Sequence, residues 1–546
     1  MKGADIAAKI LKAEGTRYLI GFPHSELFDA AAALQIRPII TRTERVAVNI
    51  AEGYARMTDG GEPAVVTVQY GPGVENAFGG IAQAFSDRAP VLFLPTGYER
   101  GMQAVTPNFE ATRNFRHVTK WCETALRASQ LQQLLQHAFW RLRNGGPAPV
   151  LLELPVDLLE QTVDEVDFDG HSPRRARPQA DLAEVRELVD ALLAAKNPVI
   201  MAGQGILLGQ AWRELLEFAE LLQIPVMTTP NGKSAFPENH PLSLGTAGKS
   251  RPATVDHFLE KADLVFGIGT SLTRSLYITP IPKGKTILQV TIDEADLGKD
   301  YPLACGVIGD ARSVLRQIIE ELRRRPGIAD RRNGERVVRE VGAVRKLFME
   351  QWLPHLQADE APMSPYRVVW ELMQAVDPAR TVVTHDAGHP RDQVLPFYQA
   401  VVPHGYLGWG KTTQLGTGLG LMIGAKLARP DWLAVAVMGE AAFGMVGMDF
   451  ETAVRCELPI LAVVLRNGIM GGYGRHMPVA TERYQANRLS GDYVTIARGL
   501  GGYAESAASP TELRPALQRC IEQVESGRAA LLEVITHEEG RLPGLG

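Results

Sequence analysis

Two polar residues punctuate the most apolar stretch of this 546-residue chain. Between Trp432 and Asn467 one apolar run ends in Met438-Gly439-Glu440 and a second ends in Leu465-Arg466-Asn467. Each run has the length of a strand buried on both faces, and the segment between them is long enough for a helix. The pattern predicts two adjacent parallel strands joined by a crossover. Glu440 and Asn467, 27 residues apart, then sit just past two neighbouring carboxyl ends, the edge on which open parallel sheets collect ligands. A carboxylate and an amide oxygen offer hard donors to a cation such as Mg²⁺. The small residues Gly439, Ala441 and Ala442 let a large anion approach backbone N–H groups. Taken alone, the same acid and amide serve equally as a helix cap and a turn.

Residues so placed need layered sheets to hold them, and the chain supplies the signals. Short apolar runs alternate with helical periods throughout, so the expected fold class is α/β, with three doubly wound parallel-sheet domains. The first spans residues 1–160, the second, Rossmann-like, 183–324, and the third 363–546. The charged segment 160–182 reads as an interdomain linker, and 323–346 as a solvated basic helix. Gly203-Gln204-Gly205 follows a strand-like run but is an incomplete dinucleotide fingerprint, most simply a structural turn. With 45% hydrophobic and 22% charged residues and a net charge of −5, the chain is ordinary globular protein with no basic footprint for nucleic acid. It shows no signal peptide and no membrane-length apolar run, which points to the cytoplasm. Four widely spaced cysteines suggest neither disulfides nor a zinc site.

Several motifs in order resemble the thiamine-diphosphate enzymes. Gly439-Glu440-Ala441 and Arg466-Asn467 stand where that family has Gly-Asp-Gly and Asn-Asn. Glu44 followed by Glu52-Gly53-Tyr54-Ala55-Arg56 is similar to its pyrimidine-binding segment. Gly71-Pro72-Gly73 with Asn76, and Thr413-Gln414-Leu415 before a glycine-rich run, follow its pattern in the first and third domains. The resemblance implies thiamine diphosphate and Mg²⁺ as cofactors, with Glu440, Asn467 and the carbonyl of Ile469 on the metal. Glu44 would hydrogen-bond the aminopyrimidine ring, and Leu415 would wedge the cofactor into its bent conformation. Pro23, Asn76, Gly388, His389, Thr413, Gly439, Ala441 and Ala442 would complete the cofactor site. The family's first domain covers the third domain of another subunit, so a homodimer or homotetramer is implied.

By the same resemblance the reaction is cleavage or formation of a C–C bond next to a carbonyl, acetolactate synthase-like decarboxylation and carboligation of 2-oxo acids. The hard chemistry would belong to the cofactor and the positioning to the protein. Local similarity to oxalyl-CoA decarboxylase and 2-hydroxyacyl-CoA lyase makes an acyl-CoA substrate the alternative. A catalytically weak cofactor-binding homologue is a third reading, motivated by Glu440 and Arg466. Gln69 and His24 are the substrate-facing candidates, with Tyr70, His389, Tyr473 and His476 as further proton donors or acceptors. FAD or ADP in the central domain would be an addition to the thiamine chemistry.

Overall fold

Three parallel sheets follow one another along the chain. The computed structural model describes residues 1–23, 26–162, 174–327 and 334–544; His24 and the middle of the first anticipated linker lie outside them. The first sheet contains β1 (Tyr18–Gly21), β2 (Arg37–Ile40), β3 (Ala64–Thr67), β4 (Val91–Phe93), β5 (Thr96–Gly97), β6 (Trp121–Thr124) and β7 (Val150–Pro155). Its order is β2-β1-β3-β4-β7-β5, with β6 also pairing β7. The second holds β8 (Pro198–Ala202), β9 (Val226–Thr228), β10 (Ser243–Thr246), β11 (Leu264–Ile268), β12 (Thr286–Thr291) and β13 (Cys305–Ile308). It is ordered β10-β9-β8-β11-β12-β13, the arrangement of a doubly wound dinucleotide fold. The third comprises β14 (Thr381–His385), β15 (Leu433–Gly439), β16 (Leu461–Arg466), β17 (Tyr503–Ala507) and β18 (Ala530–Ile535), ordered β14-β15-β16-β18-β17. The expected α/β class and parallel sheets are what the chain adopts. Among the described residues no helix is long and apolar enough to cross a membrane, and all four cysteines are free thiols.

One helix crossing joins the first and third domains. The helix Glu44–Met57 follows β2 and the helix Thr417–Ala428 precedes β15, and both are buried along nearly their whole length. Their backbones nearly touch: a Cβ on Gly53 would lie 2.3 Å from the carbonyl oxygen of Leu421, and one on Gly424 would lie 2.0 Å from that of Ile50. Only glycine permits that approach. Apolar side chains of both domains close around the crossing as one continuous core.

The basic segment 323–346 departs from expectation. Its C-terminal part forms the helix Gly334–Leu356, and Val341, Phe348, Trp352 and Leu356 are buried. Their spacing puts them on one helical face, against the central and third domains. Arg345 on that face donates to the carbonyl oxygens of Ser243 (2.6 Å) and His240 (3.3 Å). The charges masked this apolar stripe, so the helix is a strut rather than a solvated spacer.

The Glu44–Met57 helix also carries a fully buried acid. Burial pushes the Glu52 carboxyl up to about 8, and the nearby Asp87 carboxylate adds to the shift. Arg56, 3.4 Å away, pulls it back. Between the ordinary carboxylate range and about pH 8 the folded chain keeps a proton that the unfolded chain has lost. Its contribution to stability is therefore complete at acid pH and lost as pH rises through about 8. Glu52→Gln should remove this loss, so the Tm of the variant relative to the parent should climb between pH 5 and pH 8; a constant difference would contradict the assignment. At the helix crossing, Gly424→Val should cost about 1–3 kcal/mol or more through overpacking against backbone, read as a lowered Tm by calorimetry.

Candidate active site

The last paired residues of β15 and β16 are Gly439 and Leu465, so Glu440 and Asn467 leave the sheet side by side. The Glu440 carboxylate then closes the gap. Its Oε1 accepts from the backbone N–H of Asn467 (2.9 Å) and Gly468 (2.5 Å), and its Oε2 from the Tyr493 hydroxyl (3.4 Å). The Asn467 side-chain oxygen accepts from the N–H of Ile469 at 3.1 Å. Arg466, which stands in place of the first Asn of the expected Asn-Asn pair, pairs with Glu533 on β18 at 3.2 Å.

Glu440 and Asn467 line a cavity of about 340 Å³, within the range of small-molecule sites. Gly388, His389, Thr413 and Leu415 line it too, as do Gly439, Ala441, Ala442 and Ile469. Every third-domain residue assigned to the cofactor from the sequence thus comes to one place. Tyr473 borders the cavity, whereas His476 is exposed and does not. Among the described residues no group of three or more His, Cys, Asp or Glu is arranged to hold a metal ion, so a metal here depends on one carboxylate with amide and carbonyl oxygens. That donor set suits a hard cation. Gly388 has φ +82° and a Cβ there would meet nothing within 4 Å, leaving open space beside free backbone at the start of the helix His389–Val394. The residues fit a metal diphosphate.

Asp386 shapes this cradle. Fully buried at the end of β14, its carboxylate accepts from the N–H groups of Ala387 (2.8 Å), Gly416 (2.9 Å) and Gly418 (2.9 Å). One side chain thereby fixes both the Gly388 loop and the loop bearing Leu415. Burial raises its carboxyl to about 6, against the pull of those N–H groups and Arg45. Burial also lowers the His389 imidazole, with the Asp392 and Glu538 carboxylates opposing.

The first domain builds a second cluster. Glu44 opens its helix and is only 6% exposed; its Oε2 accepts from the Asn76 side-chain amide at 3.3 Å. A Cβ on Gly73 would lie 3.3 Å from Glu44 Oε1 and 2.8 Å from Gln69 Cγ, so Glu44, Gln69 and Asn76 flank one turn. Pro23 is exposed just beyond β1, and the Tyr70 ring packs on Tyr98 with centroids 4.8 Å apart. Among the described residues none of the first domain lines the Glu440 cavity, so one chain presents two separate half-sites.

The half-sites are nevertheless tied together. Asp449, buried where the crossover helix breaks between Glu440–Val446 and Phe450–Arg455, accepts from the Arg42 N–H (2.8 Å) and the Thr43 hydroxyl (2.9 Å). Both precede Glu44 directly. The Arg45 guanidinium donates to the carbonyl oxygen of Leu415. Asp386, Asp449 and Arg45 were absent from the sequence-based set. The available signal was a charged residue ending an apolar strand in THDAG and another at the helix interruption GMDF.

A further cavity of about 90 Å³ opens at the carboxyl ends of β8 and β11, bordered by Gly205, Thr270 and Lys411. Small-molecule sites usually offer about 300 Å³ or more. A Cβ on Gly203 would lie 2.3 Å from the Gly269 carbonyl oxygen, so Gly203-Gln204-Gly205 is first a close-packing turn. Lys411 reaches in from the third domain, donates to the Ser271 hydroxyl at 3.2 Å, and is lowered to about 8 by burial.

Comparison with known proteins agrees with this layout. Sequence profiles of the thiamine pyrophosphate enzyme N-terminal TPP binding domain, central domain and C-terminal TPP binding domain match residues 1–123, 185–318 and 386–534. The chain is 28% identical to a probable acetolactate synthase large subunit of Methanocaldococcus jannaschii, over 100% of this chain and 93% of that protein. Identity is 26% with the acetolactate synthase isozyme 3 large subunit of Escherichia coli, over 98% and 94%. With the sulfoacetaldehyde acetyltransferase of Alcaligenes xylosoxydans xylosoxydans it is 27%, over 96% and 92%. With all three domains matched in order and a cradle suited to a metal diphosphate, the chain belongs to the thiamine pyrophosphate enzyme family, among its acetolactate synthase-like members.

Proposed function

We propose that this chain is a thiamine-diphosphate- and Mg²⁺-dependent enzyme that decarboxylates a 2-oxo acid and joins the remaining unit to a second carbonyl compound. The active site is completed between two copies of the chain. The observation that carries the reading is the division of the site. The Glu440 cavity holds hard oxygen donors and open backbone but, among the described residues, takes no wall from its own first domain, while Glu44, Gln69 and Asn76 gather around one turn of that domain. A partner's first domain facing that cavity brings the two sets together, which makes the homodimer the minimal active unit.

Each side chain then has a task. Glu440 and Asn467, with the Ile469 carbonyl, hold the metal, and the backbone from Gly388 and the small residues Ala441 and Ala442 accept the diphosphate. Leu415, which lines the cavity, would pack against the bound cofactor. When bound, thiamine diphosphate supplies a nucleophilic carbon and an electron sink next to the substrate carbonyl. Glu44, its buried carboxylate oriented by the Asn76 side-chain amide, would hydrogen-bond the aminopyrimidine ring. Gln69, beside it, hydrogen-bonds the reacting oxygen, and His389 on the opposite half-site donates or accepts at need. His24 is proposed as a further substrate contact.

The relatives favour transfer of a two-carbon unit over acyl-CoA cleavage, which stands as the alternative substrate class. FAD or ADP remains the proposed additional ligand of the central cavity, which must widen to admit either. A yellow preparation or ADP released on denaturation tests that assignment.

Glu44→Gln should lower turnover of pyruvate by about 10²–10⁴-fold and slow hydrogen–deuterium exchange at thiamine C2, with the fold and cofactor binding kept. Undiminished exchange would end the proposed role. Glu440→Gln keeps an oxygen for the Asn467 N–H but removes the charge. It should weaken Mg²⁺-dependent cofactor binding by about tenfold or more, in line with the strength of charged oxygen ligands, as measured by fluorescence titration with Mg²⁺.

A further inference from the structure

The cavity of the third domain has a wall from elsewhere. Lys249 and Tyr277, both of the central domain, line it beside Arg391 and Asp392. The backbone N–H of Lys249 donates to the Tyr277 carbonyl oxygen at 2.9 Å, and the Tyr277 ring lies over the Arg391 guanidinium, 4.4 Å from its centroid. Arg391 in turn donates from Nε to Asp392 at 2.8 Å. The Lys249 ammonium stands 3.7 Å from the other oxygen of that carboxylate, beyond hydrogen-bond reach.

Charge and exposure distinguish this lysine from its neighbours. Arg391 and Asp392 are each only 3% exposed in their side chains and form an ion pair, whereas the Lys249 side chain is 39% exposed. Asp392 therefore sets where Lys249 points without consuming its donors. Arg391 Nη1 is buried with no hydrogen-bond partner among the described residues, so the patch keeps an excess of positive charge and of donors. A metal diphosphate is already served by Glu440, Asn467 and the Gly388 backbone. The lysine belongs to a different domain and reaches solvent, which suits a group that arrives and leaves.

We propose that Lys249 is a specificity-determining residue that binds the anionic oxo group, carboxylate or sulfonate, of the substrate entering this cavity, with Asp392 and Tyr277 holding it in place. The inference rests on the reading of this cavity as the reaction site. Its chemical content is a charge-assisted hydrogen bond from a partly desolvated ammonium, which discriminates an anion from its neutral isostere.

The test uses the chain loaded with thiamine diphosphate and Mg²⁺ and titrates oxamate, its neutral counterpart oxamide, and isethionate by calorimetry. Lys249→Met should weaken oxamate or isethionate by about tenfold or more, leave oxamide and cofactor affinity unchanged, and raise KM for pyruvate by a larger factor than it lowers kcat. Lys249→Arg should recover anion binding. Whichever anion depends on Lys249 identifies the head group. Anion binding that is absent from the parent protein, equal in Lys249→Met, or lost together with cofactor affinity overturns the proposal. A parent protein that binds the anion through Lys249 yet consumes no 2-oxo acid refutes the proposed reaction and leaves the anion site standing.

Discussion

The architecture depends on two helices meeting without side chains between them. Where Gly53 faces Leu421 and Gly424 faces Ile50, backbone rests on backbone, and such a contact has no rotamers to relax into. Two sheets that are otherwise independent folding layers are thereby held at a fixed spacing. The polar ties at the ends of the crossing inherit that rigidity. Arg45 reaches the Leu415 carbonyl and Asp449 reaches Thr43 only because the helices cannot slide. Glu44 and the cradle around Gly388 are thus members of one rigid frame, although they belong to different half-sites.

Burying the crossing also forces ionisable groups into the interior. Glu52, Asp87 and Arg56 lie close together, and Asp87 accepts from the Asn231 side-chain amide at 2.9 Å while Lys411 stands near it. The first, central and third domains each contribute to this network. Unpaired buried charges are costly, so any separation of the three domains leaves several uncompensated at once. The network adds little to affinity between layers, but it penalises every wrong arrangement, which is a use of buried polar groups that apolar packing cannot supply.

What the sequence disclosed follows a physical division. Glu440 and Asn467 were legible because each follows an apolar strand, and the carboxyl edge of a parallel sheet is where such residues converge; Glu44 and Gly388 were named through the family resemblance of their motifs. The three sheets were legible from alternation alone. Asp386 and Asp449 carried only the faint signal of an acid at a strand end and at a helix interruption, because a buried acid that organises neighbouring donors differs little in sequence from a loop acid. Lys249 was hidden for another reason. Its role comes from the docking of the central domain on the helix His389–Val394, a relation that no local pattern encodes. The helix Gly334–Leu356 was misjudged because its arginines outweighed an apolar face of widely spaced residues.

The two departures from the family motif make sense together. An aspartate after Gly439 would end one methylene short of the turn at Asn467, whereas Glu440 reaches across to accept from two of its N–H groups. The acid and the turn that carries the amide are thus linked before any ion arrives, and preorganisation of that kind lowers the entropy cost of binding. The same turn would be disturbed by a cation beside it, yet Arg466 is drawn along the sheet to Glu533, a residue only 4% exposed. Its charge is neutralised on β18 and does not compete with a metal for Glu440. A longer acid that braces the turn and an arginine tethered away from it are compatible with a working site, which weighs against a chain that has merely lost its chemistry.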